Sequence, residues 1–228
     1  MIVSIHQPQY WPWLGYFDKI DKSDVFILLD NVQFKKNEWQ NRNRIRTATG
    51  WQWLTVPVMH NFGQKISEVR INNQTNWRQK HFKSIVLNYC KAPFLDEFMD
   101  LLNSLYTQEW EYLVQLNIEI ILRVVEILGI KTKIVRASDY AVSSRRTQRL
   151  VDLCKLLGAD TYLSGVSGPD YMDMSLFKEN NINVIVQDYN HPVYTQVFGK
   201  ANEGFLPCMS IIDLLLNCGS KSLEILSS

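Results

Sequence analysis

The chain has no Cys-x-x-Cys pair and no glycine loop of the G-x-G-x-x-G or G-x-x-x-x-G-K-[ST] type among its ten glycines. Its four cysteines, Cys90, Cys154, Cys208 and Cys218, are scattered through largely apolar surroundings. That excludes a sequence-evident zinc site or disulfide frame, and each reads as a reduced core thiol of a cytoplasmic protein. Excess charge is missing too: 24 basic residues stand against 23 acidic ones, a net +1, so no global field draws the protein to DNA or an anionic membrane. The opening run to His6 has no basic region followed by a long apolar stretch, so no secretory signal is expected. The most apolar helical stretch, 113–130, is interrupted by Gln115, Asn117, Glu119, Arg123 and Glu126, which predicts a core-facing helix and no membrane insertion. No repeat, low-complexity tract or linker divides the sequence, and 1–228 is expected to be a single domain.

Aromatic side chains are plentiful, at 12%, and all but one of the seven tryptophans fall in the first third of the chain. They predict either an aromatic-walled cavity or an aromatic core. Strand-like runs at 2–5, 24–29, 131–136, 161–164 and 183–187 alternate with helical patterns at 13–21, 147–157, 174–180 and 209–217. This alternation predicts an α/β fold with a Rossmann-like, mainly parallel sheet. Residues 51–58 and 66–71, joined by Asn61-Phe62-Gly63, predict a small inserted β-hairpin. Residues 77–130 predict a helical segment of three helices, 77–89, 93–105 and 110–128, the last ended by Gly129.

Polar chemistry gathers where strands end. The first strand runs into His6-Gln7-Pro8-Gln9-Tyr10-Trp11-Pro12-Trp13, and the second into Asp30-Asn31-Val32-Gln33-Phe34. Ligands of open α/β sheets bind beyond the carboxyl ends of strands, so these positions read as a site. His6 has the reference pKa of an acid or base near neutrality, with a satisfied structural histidine as the alternative. Asp30 can bind a hydroxyl, a cationic amine or a metal, or merely start a turn. Asn41, Arg42, Asn43 and Arg44 alternate as they would on the two faces of an extended segment, a phosphate clamp or a charged surface strand. Lys80 and His81 lie at an expected helix start, which favours anions. Ser164, Gly165, Ser167 and Tyr171 follow the 161–164 strand as a ligand-approach loop or a plain turn. No G-x-S-x-G run makes Ser164 a nucleophile.

The motifs Ile5-His6-Gln7-Pro8-Gln9-Tyr10, Pro12-Trp13-Leu14-Gly15-Tyr16-Phe17-Asp18-Lys19-Ile20, Asp30-Asn31-Val32-Gln33-Phe34 and Trp39-Gln40-Asn41-Arg42-Asn43-Arg44-Ile45 occur in order. With Leu54-Thr55-Val56-Pro57-Val58, Lys80-His81, Tyr162-Leu163-Ser164-Gly165, Pro192-Val193-Tyr194 and Ser210-Ile211-Ile212-Asp213, they make the chain resemble the WbqC-like protein family over nearly its whole length. That resemblance implies a role in surface-polysaccharide (O-antigen) biosynthesis, with transfer of glycine or another acyl group to the amine of a nucleotide-linked amino sugar. A fainter likeness of layout is to adenylate-forming enzymes of the H-x-G-H type, with Trp13 and Tyr16 where those have their histidines.

The combined expectation makes His6 the acceptor of the amine proton and Asp30 the group that orients the sugar. Arg42 and Arg44 then hold phosphates, Gln33 and Tyr10 position donor or sugar, and 164–168 line the pocket. Gln7, Trp13, Asn41, Asn43, Lys80 and His81 complete the binding set. If ATP supplies the activation, Mg²⁺ accompanies it; no residue set reads as a metal site. Acyl-CoA and aminoacyl-tRNA stand as alternative donors, and a non-catalytic sugar-nucleotide-binding module as the alternative to an enzyme.

Overall fold

The computed structural model describes residues 1–199 and 204–227. The chain opens with β1 (Ile2–His6), α1 (Leu14–Asp21) and β2 (Val25–Leu28), a βαβ unit. A long excursion follows: β3 (Arg42–Thr47), β4 (Gly50–Thr55), β5 (Val58–Met59), β6 (Arg70–Ile71), α2 (Trp77–Asn88), α3 (Met99–Thr107) and α4 (Leu113–Leu128). The chain then returns through β7 (Lys133–Arg136), α5 (Arg146–Leu156), β8 (Thr161–Ser164), α6 (Met174–Glu179) and β9 (Asn183–Val186), and finishes in α7 (Ile211–Cys218) and α8 (Ser222–Leu226).

Five strands form an all-parallel sheet in the order β7-β2-β1-β8-β9. The fold is α/β, as the alternation of strand and helix patterns predicts. Period-two side-chain placement explains how its faces are covered. Val3, Ile5, Val25 and Ile27 turn to one face, where Val151 and Cys154 of α5 and Phe177 of α6 cover them. Phe26 and Leu28 turn to the other, against Leu14, Phe17 and Ile20 of α1, Ile120 and Val124 of α4, and Ile211 and Leu215 of α7. Each such fully buried side chain contributes roughly 1.5–3 kcal/mol. Among the described residues no helix is long and apolar enough to cross a membrane.

The excursion departs from expectation in its pairing. Residues 51–58 do not form one hairpin with 66–71; β3 instead pairs antiparallel with β4, from Arg42 opposite Thr55 to Thr47 opposite Gly50. The cause is the tight Thr47-Ala48-Thr49-Gly50 reversal, in which Gly50 takes φ +136°, a conformation other residues rarely adopt. Only Val58–Ile71 and Met59–Arg70 pair between the two expected strands, because residues 66–68 coil into a 3₁₀ turn. The second expected helix also starts late, at Met99, behind a 3₁₀ turn over Asp96–Phe98. Cys90 is exposed rather than in the core, since it follows the end of α2 on the surface, and Cys208 is half-buried.

The excursion and α4 carry the chain from β2 to β7, after which it crosses back to place β8 on the far side of β1. The winding reverses between β1 and β8. A crevice beyond the carboxyl ends of those two strands is where this topology opens a ligand site.

Candidate functional site

Two clefts open there. The larger, about 1440 Å³, is walled by Ile5, His6 and Gln7 after β1, Asn31, Val32 and Gln33 after β2, and the start of α5. The smaller, about 420 Å³, lies between Trp13, Gly15, Tyr16 and Lys19 on one side and Gly165, Ser167 and Gly168 on the other. Ile5, His6, Tyr162 and Tyr171 belong to both, so His6 stands at their junction.

His6 Nε2 is 3.3 Å from the Gln9 amide nitrogen, and its buried Nδ1 has no partner. With that amide donating, the imidazole proton resides on Nδ1; turning the amide over reverses the assignment and leaves Nδ1 the bare base. Gln9 Oε1 is itself unpartnered, so neither arrangement is fixed by a further bond. Burial, reinforced by the positive charge of Lys19, holds His6 well below the ordinary histidine pKa, and it is neutral at pH 7. Its ring lies 4.9 Å from that of Tyr16.

Lys19 was not singled out by its sequence context, yet it lines the small cleft while only 3% exposed. Its Nζ donates to the Ile5 carbonyl at 3.3 Å, and desolvation pulls its pKa down to about 8. Gly15 lets the Trp13 indole fold back over the first turn of α1, for a side chain at position 15 would lie 2.3 Å from that ring. The segment between β1 and α1 is strained as well: Trp11 has φ +43° while buried. Its indole donates to Tyr106 Oη at 3.0 Å, and its carbonyl accepts from Asn43 Nδ2 at 2.6 Å. Such outliers persist only where the surroundings over-determine them.

The large cleft is cationic. Lys35, Lys65, Arg145, Arg146 and Arg149 line it, with Asp173 as the one carboxylate lining it among the described residues. Asp173 is engaged in capping α6, accepting from Ser175 N at 3.1 Å and from Ser175 Oγ. Arg149 bridges the Ser144 carbonyl, at 2.7 Å, to Asn31, at 3.3 Å. Arg145 and Arg146 are exposed and make no ion pair among the described residues, and Arg146 begins α5 at φ +51°. Arginine forks beside a helix N-terminus suit phosphate oxygens. A single carboxylate already engaged in a helix cap is no metal cage, so a divalent ion would have to arrive on the ligand's own phosphates.

Of the residues anticipated from sequence, His6, Gln7 and Gln33 meet in the large cleft, and Trp13, Gly165, Ser167 and Tyr171 join His6 in the small one. The others lie elsewhere. Asp30 is fully buried: Oδ2 accepts from Arg136 Nε and Nη2 at 2.9 and 2.8 Å and from Ser138 Oγ at 2.8 Å, and Oδ1 accepts from Ser138 N at 2.9 Å. Tyr10 and His81 are interior, with Tyr10 Oη 2.8 Å from His81 Nδ1 and 2.6 Å from Tyr106 Oη. Burial lowers the His81 pKa to about 4. Lys80 beside it is exposed, away from both clefts. Asn41 Nδ2 donates to the Val56 carbonyl at 3.0 Å, and Ser164 Oγ to the Gly165 carbonyl at 2.9 Å. Arg42 and Arg44 share a hairpin face with Trp51 and Trp53; the Arg42 guanidinium lies 4.1 Å from the Trp53 ring centre, and Arg44 lies 5.2 Å from that of Trp51. The arginines that line the cleft come from Ser143-Ser144-Arg145-Arg146-Thr147-Gln148-Arg149, whose signal is a basic cluster at a strand-to-helix turn.

Comparison with known proteins agrees with the motif order. The model of the WbqC-like protein family matches residues 7–225. The uncharacterized protein Rv1507c of Mycobacterium tuberculosis is 39% identical over 224 residues, covering 96% of this chain and 95% of that protein. No solved structure matches the chain.

Proposed function

Because the chain belongs to the WbqC-like protein family, we propose that its two clefts bring a nucleotide-linked amino sugar and an acyl donor together at His6. In this reading the protein acts as one cytoplasmic domain that forms an amide on the sugar amine, with glycine or another small acyl group as the piece transferred, in surface-polysaccharide biosynthesis. The observation that carries it is the position of His6 at the junction of a cationic cleft and an aromatic one.

The chemistry follows from that division. A nucleotide diphosphate is matched by Arg145, Arg146, Lys35 and the N-terminus of α5, while Gln7 and Gln33 offer amides to sugar hydroxyls. A sugar amine attacks only when neutral. As the C–N bond forms, a proton leaves nitrogen and the donor's C–O or C–S bond breaks, releasing phosphate or AMP from an ATP-activated acid, or the thiol or tRNA hydroxyl of an acyl-CoA or aminoacyl-tRNA. His6 is neutral, and with the Gln9 amide turned so that its oxygen accepts from Nε2–H, the unpartnered Nδ1 is the bare nitrogen that receives the proton. Negative charge arriving with the ligand raises the His6 pKa toward working pH and improves it as a base. If ATP supplies the activation, its phosphates compete for the same cationic wall. Asp30 takes a different part from the one its sequence position suggests: it ties the end of β2 to the end of β7 and so holds the cleft floor.

The test is incubation of the purified protein with a UDP-linked 4-amino sugar and glycine, with and without ATP and Mg²⁺, read by mass spectrometry. A sugar nucleotide heavier by a glycyl group is expected in the arm that contains ATP and Mg²⁺, because ATP carries away the carboxylate oxygen, and not in the arm without them. Replacing Arg145 and Arg146 together by alanine should weaken sugar-nucleotide binding roughly tenfold or more, the scale of lost charged hydrogen bonds. No mass gain with glycine, acyl-CoA or glycyl-tRNA as donor would sink the reading.

A further inference from the structure

Lys19 poses a chemical question that the cationic cleft does not answer. A lysine this deeply buried is normally matched by a carboxylate, because an unpaired interior charge is costly. Lys19 has none. The nearest acid in sequence, Asp18, is already committed, taking Lys22 Nζ at 2.8 Å and Gln187 Nε2 at 2.6 Å. The one bond from Lys19 Nζ, to the Ile5 carbonyl, is long for a charged donor at 3.3 Å. An ammonium has three donors, so two are unspent.

The surroundings define what would satisfy them. The small cleft is walled by the rings of Trp13, Tyr16, Tyr162, Tyr171 and Tyr189, and its polar lining includes His6, Gln187 and the 165–168 loop. Among the described residues no acidic side chain lines it. A single point charge among aromatic walls matches the carboxylate of a short ligand, the ring faces being left for the rest of its body, apolar or, in glycine, the ammonium. A phosphate dianion would be under-compensated here and better served by the arginines next door.

We propose that Lys19 is the receptor for the carboxylate of a small free acid bound in the aromatic cleft. The inference rests on the two-cleft reading and deepens it: the acyl piece enters as a carboxylic acid, not already joined to a bulky carrier. The binding step makes and breaks no covalent bond. The lowered pKa of Lys19 is the cost of its desolvation, and a bound carboxylate relieves that cost.

Nitrogen-15 NMR of lysine-labelled full-length protein tests this, with acetate as the probe, acetamide as its neutral counterpart, and UDP as an independent probe of the cationic cleft. In the free protein the Lys19 amine should titrate near its lowered value of about 8. Saturating acetate should move that midpoint up by roughly 1 pH unit, and acetamide should leave it in place. Lys19→Met should weaken acetate binding roughly tenfold or more while UDP affinity is unchanged. If Lys19→Met fails to fold, the wild-type titration alone decides. A midpoint indifferent to acetate, or acetamide binding as tightly as acetate, overturns the proposal. Failure of UDP to bind the wild type would instead overturn the cationic-cleft reading and leave the Lys19 result standing by itself.

Discussion

His6 and Asp30 sit at the ends of adjacent parallel strands, and both looked from the sequence like polar groups offered to a ligand. They differ in what they have left to offer. Asp30 has both oxygens engaged by Arg136 and Ser138, partners the protein itself supplies. His6 keeps an unpartnered ring nitrogen beside an amide that is also unsatisfied, and it borders both clefts. A polar residue at a strand end is thus a candidate, and its hydrogen-bond ledger separates a working group from a brace.

Three substitutions would break or sharpen this contrast. The largest effect is expected at His6→Ala, which should reduce acyl transfer by roughly 10²–10⁴, the range for removing a general base, with the melting temperature little changed. Transfer at the wild-type rate would make His6 another brace. Next is Asp30→Ala, which leaves Arg136 and Ser138 unpaired. Because Arg136 is 43% exposed and can turn to water, the loss should be about 2–4 kcal/mol, below the full cost of breaking a buried pair, measured by urea unfolding. Sugar-nucleotide affinity measured on the folded fraction should stay the same; a fall in affinity at unchanged stability would return Asp30 to the ligand. The smallest effect is a gain. Lys19→Met should stabilise the free protein by about 1–2 kcal/mol at pH 7, since a desolvated ammonium is removed. The unfolded chain keeps the lysine proton up to about pH 10.4, whereas the folded chain releases it near 8. Between those values the unfolded state binds more protons, so wild-type stability rises with pH and the advantage of the variant shrinks across that window. An advantage constant from pH 7 to 10 would show that Lys19 titrates normally.

The pattern of legibility has physical causes. The parallel sheet could be read because its strands are short apolar runs alternating with helical periodicity, and the first strand's end stood out because polar residues interrupt that pattern. Asn41 and Asn43 misled for a related reason: a buried amide facing a backbone carbonyl and one facing a sugar look identical in sequence. Here they serve the Val56 and Trp11 carbonyls. Arg145 and Arg146 resemble any solvated helix start until the return of β7 beside β2 brings them over the cleft. Lys19 was the hardest to see, being one lysine on an amphipathic helix. Its isolation follows from packing α1 beneath β1 and beside the loop after β8, a three-body arrangement that no local window contains.

The brace between Asp30 and Arg136 joins residues 106 positions apart, with the whole excursion between them. Closing so long a loop costs entropy before any contact repays it, so the βαβ opening can form early while the β2–β7 edge must wait. Both walls of the cationic cleft depend on that edge. A half-folded chain can therefore hold most of its helices and still lack the cationic cleft. If the cleft takes a nucleotide as proposed, that ligand binds only the completed fold and pulls the population toward it by mass action, so nucleotide protection during refolding would time the last joint to close.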